Sequence, residues 1–273
     1  MSSKNDKSVN QAVPINLPAS NQKRRPNLIG PQPMVTIHIT SEASEPKTFL
    51  VHKNFICYYS PYFRTAFASN FIEGVTQELS LSNADVDLKA FGIFVQWLYS
   101  PKLEDISEEE LDHKTLIRLW LLADWVMCPS LQNETLTLLD KVRVRTPSNR
   151  ALPSSEYHKI YDNTNEDSPL RRYVVDTRPP RMPISNPDNY PHEMLVDVIN
   201  RFALLHKLKN RNKNIDFTRK ELEQYMVAEV EDNDGNSSSK RKRSPFQDDS
   251  EIALSDSPTV MTRSWKRARA SMP

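Results

Sequence analysis

The chain has 273 residues, enough for one domain of ordinary size with tails or for two small ones. Hydrophobic residues make up 38% and charged residues 26%, and the mean hydropathy is −0.62, so one core cannot extend evenly along the length and part of the chain is expected to be disordered. Four glycines, against a usual share of about 7%, leave little from which to build a phosphate-cradling loop, and neither dinucleotide nor P-loop glycine spacing occurs. No apolar run of about 18 residues exists and the N-terminus lacks a hydrophobic leader, which predicts a soluble, intracellular protein. The formal net charge of +1 conceals basic ends (Lys23–Arg25, Lys240–Arg243, Arg263–Arg269) and acidic stretches between them, Glu104–Glu110 and Glu231–Asp234. The folded part is therefore expected to be near neutral or acidic, without a basic face for DNA.

Residues 1–30 carry Asn, Ser, Pro and Lys without an apolar period and read as a flexible lead-in. From Met34 the pattern changes: Val35, Ile37 and Ile39 alternate with polar residues, and after the turn SEASEP a second run, Thr48–Val51, predicts a hairpin. Helical spacing follows at Phe55, Ile56 and Tyr59, and Ser60-Pro61 supplies an N-cap and an N1 proline for a second helix carrying Tyr62, Phe63, Ala66 and Phe67. Glu78–Leu81 reads as a third strand. Asp85 or Asp87 then caps a helix whose expected buried positions are Leu88, Phe91, Phe94, Val95 and Leu98, ending at Pro101. Leu116, Leu119, Trp120, Ala123 and Met127 recur at three and four on the next helix, and Pro129 begins another with Leu131, Leu136 and Leu139.

These residues resemble a known family. The series Phe49-Leu50-Val51-His52-Lys53, Tyr59-Ser60-Pro61-Tyr62-Phe63, Phe71-Ile72-Glu73, Glu78-Leu79-Ser80-Leu81, Phe91 to Tyr99 and Leu121-Leu122-Ala123-Asp124 is similar, in order and spacing, to the BTB/POZ domain signature, in the form found in filamentous fungi. The resemblance covers about residues 31–143 and implies an α+β fold: a small three-stranded sheet flanked by a cluster of α-helices. Residues 144–230, with IYDNTNEDSPLRRYVVD and YPHEMLVDVINRFALL, resemble the linker and helical extension of such proteins, and 231–273 is expected to be a disordered basic tail. Two departures stand out. The family commonly has Asp at the start of the first strand, paired near the His-Lys, where this chain has Met34, so His52 is read as a residue at a helix start, packed under the strands. A clear amphipathic helix before the first strand, exchanged in many homodimers of the family, is also missing.

Catalysis would need an activated nucleophile or paired acids, and no GxSxG, HExxH or Cys-His pattern appears, so no enzyme and no catalytic residues are predicted. The six histidines fit no zinc template, and no metal or other cofactor is implied. Cys57 and Cys128 lie in apolar segments and read as reduced, buried thiols. Trp97, Trp120 and Trp125 fall on apolar helix faces and are expected to pack the core. The resemblance points instead to Phe71, Ile72 and Glu73: family members that engage cullin-type ubiquitin-ligase scaffolds carry a hydrophobic-any-Glu element here. The plain alternative is that Phe71 caps the core and Glu73 is a solvated turn residue. Lys240, Arg241, Lys242 and Arg243, with Lys266 and Arg267, have the charge density that importin-type receptors read, which predicts a nuclear location, with the cytoplasm as a second one; the plain alternative is solvated charge. Ser244-Pro245 and Ser257-Pro258 flank these clusters, and phosphate at Ser244 would oppose four cations. The function implied is an interaction adaptor that dimerises or recruits a cullin-type scaffold. Its alternative is a nuclear scaffold or transcriptional co-regulator that self-associates without ligase activity. The expected partners are other proteins, a second copy as homodimer and an importin-type receptor, with no membrane and no direct nucleic-acid contact.

Overall fold

The alternating run from Met34 becomes β1 (Met34–Ser41), which pairs antiparallel with β2 (Ser44–His52) in the register Ile37↔Phe49 and Val35↔Val51. On its other edge β1 pairs in parallel with β3 (Glu78–Ser82), Ile37 opposite Leu79 and Ile39 opposite Leu81. The sheet order is β2-β1-β3. Period two sends Val35, Ile37, Ile39, Val51, Leu79 and Leu81 to one face, where all are buried, and leaves His38 and Thr48 outside, joined at 3.1 Å. The computed structural model describes residues 25–41, 44–82, 86–145, 152–178, 184, 186–209 and 222–229. The expected tail 231–273, and all of the lead-in before Arg25, lie outside these residues.

Against the apolar face pack α1 (Lys53–Tyr59), α2 (Pro61–Ala68), the short α3 (Ile72–Thr76), α4 (Leu88–Tyr99), α5 (His113–Trp125) and α6 (Pro129–Arg145). Ser60 caps α2 as its sequence requires: its hydroxyl accepts from the Phe63 amide at 3.2 Å. Asp87 does the same for α4 through Ala90, and Asp112 for α5 through Thr115. Phe63 stacks on Phe67 and Phe94, and Phe91 meets Phe49 from the sheet at 5.0 Å, so aromatic contact joins the sheet to the helices.

Three expectations need correction. Leu88 is 37% exposed because, as the first residue of α4, it faces outward; Ala90, Ile93 and Trp97 complete the buried stripe instead, with Val95 half-buried. Met127 does not extend the face of α5. It follows the C-cap with φ 55°, its amide donating to Asp124 and that of Cys128 to Ala123, the paired bonds of a Schellman turn. Trp125 lies half-buried, its ring 4.6 Å from that of Tyr62, while Trp97 and Trp120 are buried as expected.

Beyond α6 come α7 (Tyr157–Asn163), α8 (Pro169–Thr177) and α9 (His192–Lys209), linked by 3₁₀ turns at Ser154–Glu156 and Pro187–Asn189, with another at Glu223–Tyr225. Their buried residues, Tyr157, Ile160, Leu170, Tyr173, Met194 and Tyr225 among them, belong to the same hydrophobic cluster as the sheet and α1–α6. Arg118 on α5 bridges Asp87 at 2.5 Å and the buried Glu156 at 3.1 Å, a polar tie across the same boundary. Arg171 is buried at the end of α7, where it donates to the carbonyl oxygens of Tyr161 and Thr164.

Burial raises the Asp87 carboxyl, but the Ala90 amide and Arg118 outweigh it and hold it below the usual range. Its contribution to stability is thus complete above roughly pH 5, above its unfolded value of about 3.9, and is lost as pH falls through the lowered folded-state value. Asp87→Asn keeps the cap but not the charge, so its melting temperature should fall less steeply than that of the unaltered chain between about pH 5 and 2. Trp120→Ala should cost about 3–5 kcal/mol in urea unfolding. Because the core is continuous, fluorescence and circular dichroism should shift together.

Candidate functional site

The first polar group near the signature is His52, which forms the N-cap of α1 opposite Met34. Its backbone N–H donates to the Tyr99 hydroxyl at 3.1 Å, and that hydroxyl lies 2.9 Å from Nδ1. Tyr99, at the end of α4, thereby supplies the polar partner that Met34 cannot, while Lys53 continues the chain by donating its Nζ to the Phe67 carbonyl at 3.0 Å. His52 works as a packed, hydrogen-bonded residue at a helix start.

The second feature is apolar. After α2 the chain turns at Ser69, whose hydroxyl donates to Ala66 and accepts from the Phe71 amide, and Phe71 becomes the N-cap of α3. The Gly74 and Val75 amides both return to the Phe71 carbonyl, at 3.0 and 3.1 Å. Gly74 allows this close turn: a Cβ there would lie 1.8 Å from the Ser69 carbonyl oxygen. Gln77 closes the helix with φ 58°, donating its side chain to the carbonyls of Phe67 and Gly74, and its own carbonyl accepts from Thr36 on β1.

Held in this frame, Phe71, Ile72 and Val75 are 75%, 71% and 74% exposed. The alternative in which Phe71 caps the core does not match this position. Glu73 is half-buried on the same turn, and its charge adds to burial in raising the Tyr62 phenol to about 12. The structure thus brings Phe71, Ile72 and Glu73 together and adds Val75 and Tyr62. Val75 was legible as the apolar residue three beyond Ile72, whereas Tyr62 is placed there only by the return of the chain after α2.

Burial pushes the Cys128 thiol up to about 11, and no disulfide joins it to the half-buried Cys57. Among the described residues no cluster of His, Cys, Asp or Glu could hold a metal ion, and no helix is long and apolar enough to cross a membrane. The basic residues Lys240–Arg243, Lys266 and Arg267 lie outside the described residues.

A three-stranded sheet of this order, capped by helices with a hairpin leading into His52-Lys53, defines an α+β domain. Residues 33–141 match the family model of the BTB/POZ domain and form such a domain, a protein-interaction module and not a catalytic family. No curated protein matches the chain.

Phe71→Ala should leave stability within about 0.5 kcal/mol, since the ring is exposed. Gly74→Ala forces α3 away from Ser69 and should cost about 1–3 kcal/mol. Chemical denaturation of the two variants side by side checks whether α3 is held by its backbone or by its apolar side chains.

Proposed function

We propose that the protein is an interaction adaptor whose BTB/POZ domain docks a cullin-type ubiquitin-ligase scaffold through Phe71, Ile72 and Glu73. The supporting observation is the exposure of three large apolar residues on one constrained turn, Phe71, Ile72 and Val75, because side chains of this kind held in water mark a surface kept for a partner. Phe71 is the anchor that enters a pocket on the scaffold, and Glu73 pairs with a basic or amide group at the rim. The resemblance of this triplet to the element of cullin-binding members supports the same assignment. The basic clusters of the C-terminal segment support a nuclear setting reached through an importin-type receptor.

Pull-down of the full chain with a cullin scaffold tests this reading. The unaltered chain should capture the scaffold, Phe71→Ala should weaken capture by about tenfold or more, and Glu73→Ala should weaken it less. Folded protein that self-associates but captures no scaffold would overturn it in favour of a nuclear scaffold or co-regulator.

A further inference from the structure

Residues 222–229 follow α9 in the chain. This eight-residue segment is held by named contacts to α6 and α8. Leu222 and Tyr225 are buried, and Met226 and Val227 pack partly against the core. The Tyr225 ring stands edge-on to Tyr173 of α8, centroids 5.5 Å apart and planes at 82°. Its hydroxyl donates to Asp176 at 2.6 Å, and the other oxygen of Asp176 pairs with Arg201 of α9 at 2.7 Å.

Two residues further on, the amide side chain of Asn133 on α6 reads backbone. Its Oδ1 accepts from the Val227 N–H at 2.7 Å, and its Nδ2 donates to the Val227 carbonyl at 2.9 Å and to Glu229 at 3.0 Å. Such pairing of a side-chain amide with both polar groups of one residue holds a chain that has no strand or helix partner of its own, as a sheet edge holds an added peptide. An aromatic ring with a carboxylate beside it, plus an amide clamp, presents together the groups that hold an extended segment.

We propose that the surface formed by Asn133 of α6 and by Tyr173 and Asp176 of α8 is a peptide-binding site for a Leu-x-x-Tyr-x-Val segment, and that residues 222–229 occupy it in cis as a displaceable latch. The site reads three things: a tyrosine ring through Tyr173, its hydroxyl through Asp176, and the backbone two residues later through Asn133. Neither α3 nor Phe71 contributes to it.

The test uses the full chain carrying Tyr225→Ala and Val227→Pro, which empty the slot and remove the N–H that Asn133 accepts, with the blocked peptide LEQYMVAE as probe. The peptide should bind this variant in fluorescence anisotropy. At about a hundredfold excess over its dissociation constant it should raise the melting temperature by about 5–10 °C. The unaltered chain, whose own segment competes at high effective concentration, should bind at least tenfold more weakly. LEQFMVAE should bind the variant about tenfold more weakly than LEQYMVAE, and adding Asn133→Leu should abolish binding. A second measurement does not rely on the variant folding: a protease site placed within residues 210–221 of the unaltered sequence is cut after folding, and excess LEQYMVAE, but not LEQAMVAE, should then displace the released fragment. Failure of the peptide both to bind the folded variant and to displace the cut fragment would overturn the proposal, as would equal binding of the alanine peptide.

Discussion

The hydroxyl of Ser60 accepts the Phe63 amide and donates to the Val126 carbonyl at 2.6 Å, so one fully buried group joins the start of α2 to the turn that ends α5. A hydroxyl has one proton to give, and here it goes across the domain while a lone pair serves the cap. This bond ties the start of α2 to the end of α5, and α2 delivers the chain to Ser69 and Gly74, where α3 is built. The break between α1 and α2, the Schellman turn at Met127 and the exposed Phe71 are therefore parts of one geometric problem. Proline at 61 allows the break without a lost backbone bond, because it stands at the first position of α2, where an N–H would have no partner within the helix.

The helices after Arg145 do not behave as an appendage. Tyr173 of α8 donates to Asp140 of α6, and Arg143 reaches both of them, at 3.1 Å to the phenol. Together with burial, the Asp140 charge raises the Tyr173 phenol well above its ordinary range. With Arg118 tied to Glu156 as well as Asp87, and Arg143 to Tyr173 as well as Asp140, two charged groups of the interaction domain take a further partner from the extension. Removing the extension would take these hydrogen bonds away together with the apolar contact of the shared core. Stability of the domain and the presence of the extension are thus coupled.

How much was legible in the sequence follows the range of the physical signal. Period two at Val35, Ile37 and Ile39, the Ser60-Pro61 cap and the Asp87 cap are local, and the structure reproduces them. Leu88 and Met127 were misplaced because periodicity marks a face without saying where the helix starts or stops, and one residue at either end can leave the stripe. The partner of His52 was out of reach: Tyr99 lies 47 positions away, and nothing local marks a tyrosine at the end of an apolar helix as an acceptor. The clamp of Asn133 on Val227 spans 94 positions and was invisible for the same reason. For the candidate site, the resemblance supplied the triplet, while its exposure emerged only from the path of the backbone around Gly74.

Scarcity of glycine sharpens that last point. Among the described residues, the positive-φ positions apart from Gly30 are Gln77 and Met127, and a side chain in that region costs about 1–2 kcal/mol. At Gln77 the cost is offset locally: the amide side chain donates to the Phe67 and Gly74 carbonyls, so the residue that strains the backbone also locks it. Lys53 donates to the same Phe67 carbonyl, which ties this corner to the start of α1. A five-residue helix has too few internal bonds to persist alone. Here it is fixed at one end by Ser69 and Gly74, and at the other by Gln77 and its bond to β1. Apolar side chains on so constrained a turn lose little backbone freedom when a partner covers them, so more of the burial energy of Phe71, Ile72 and Val75 remains available for affinity.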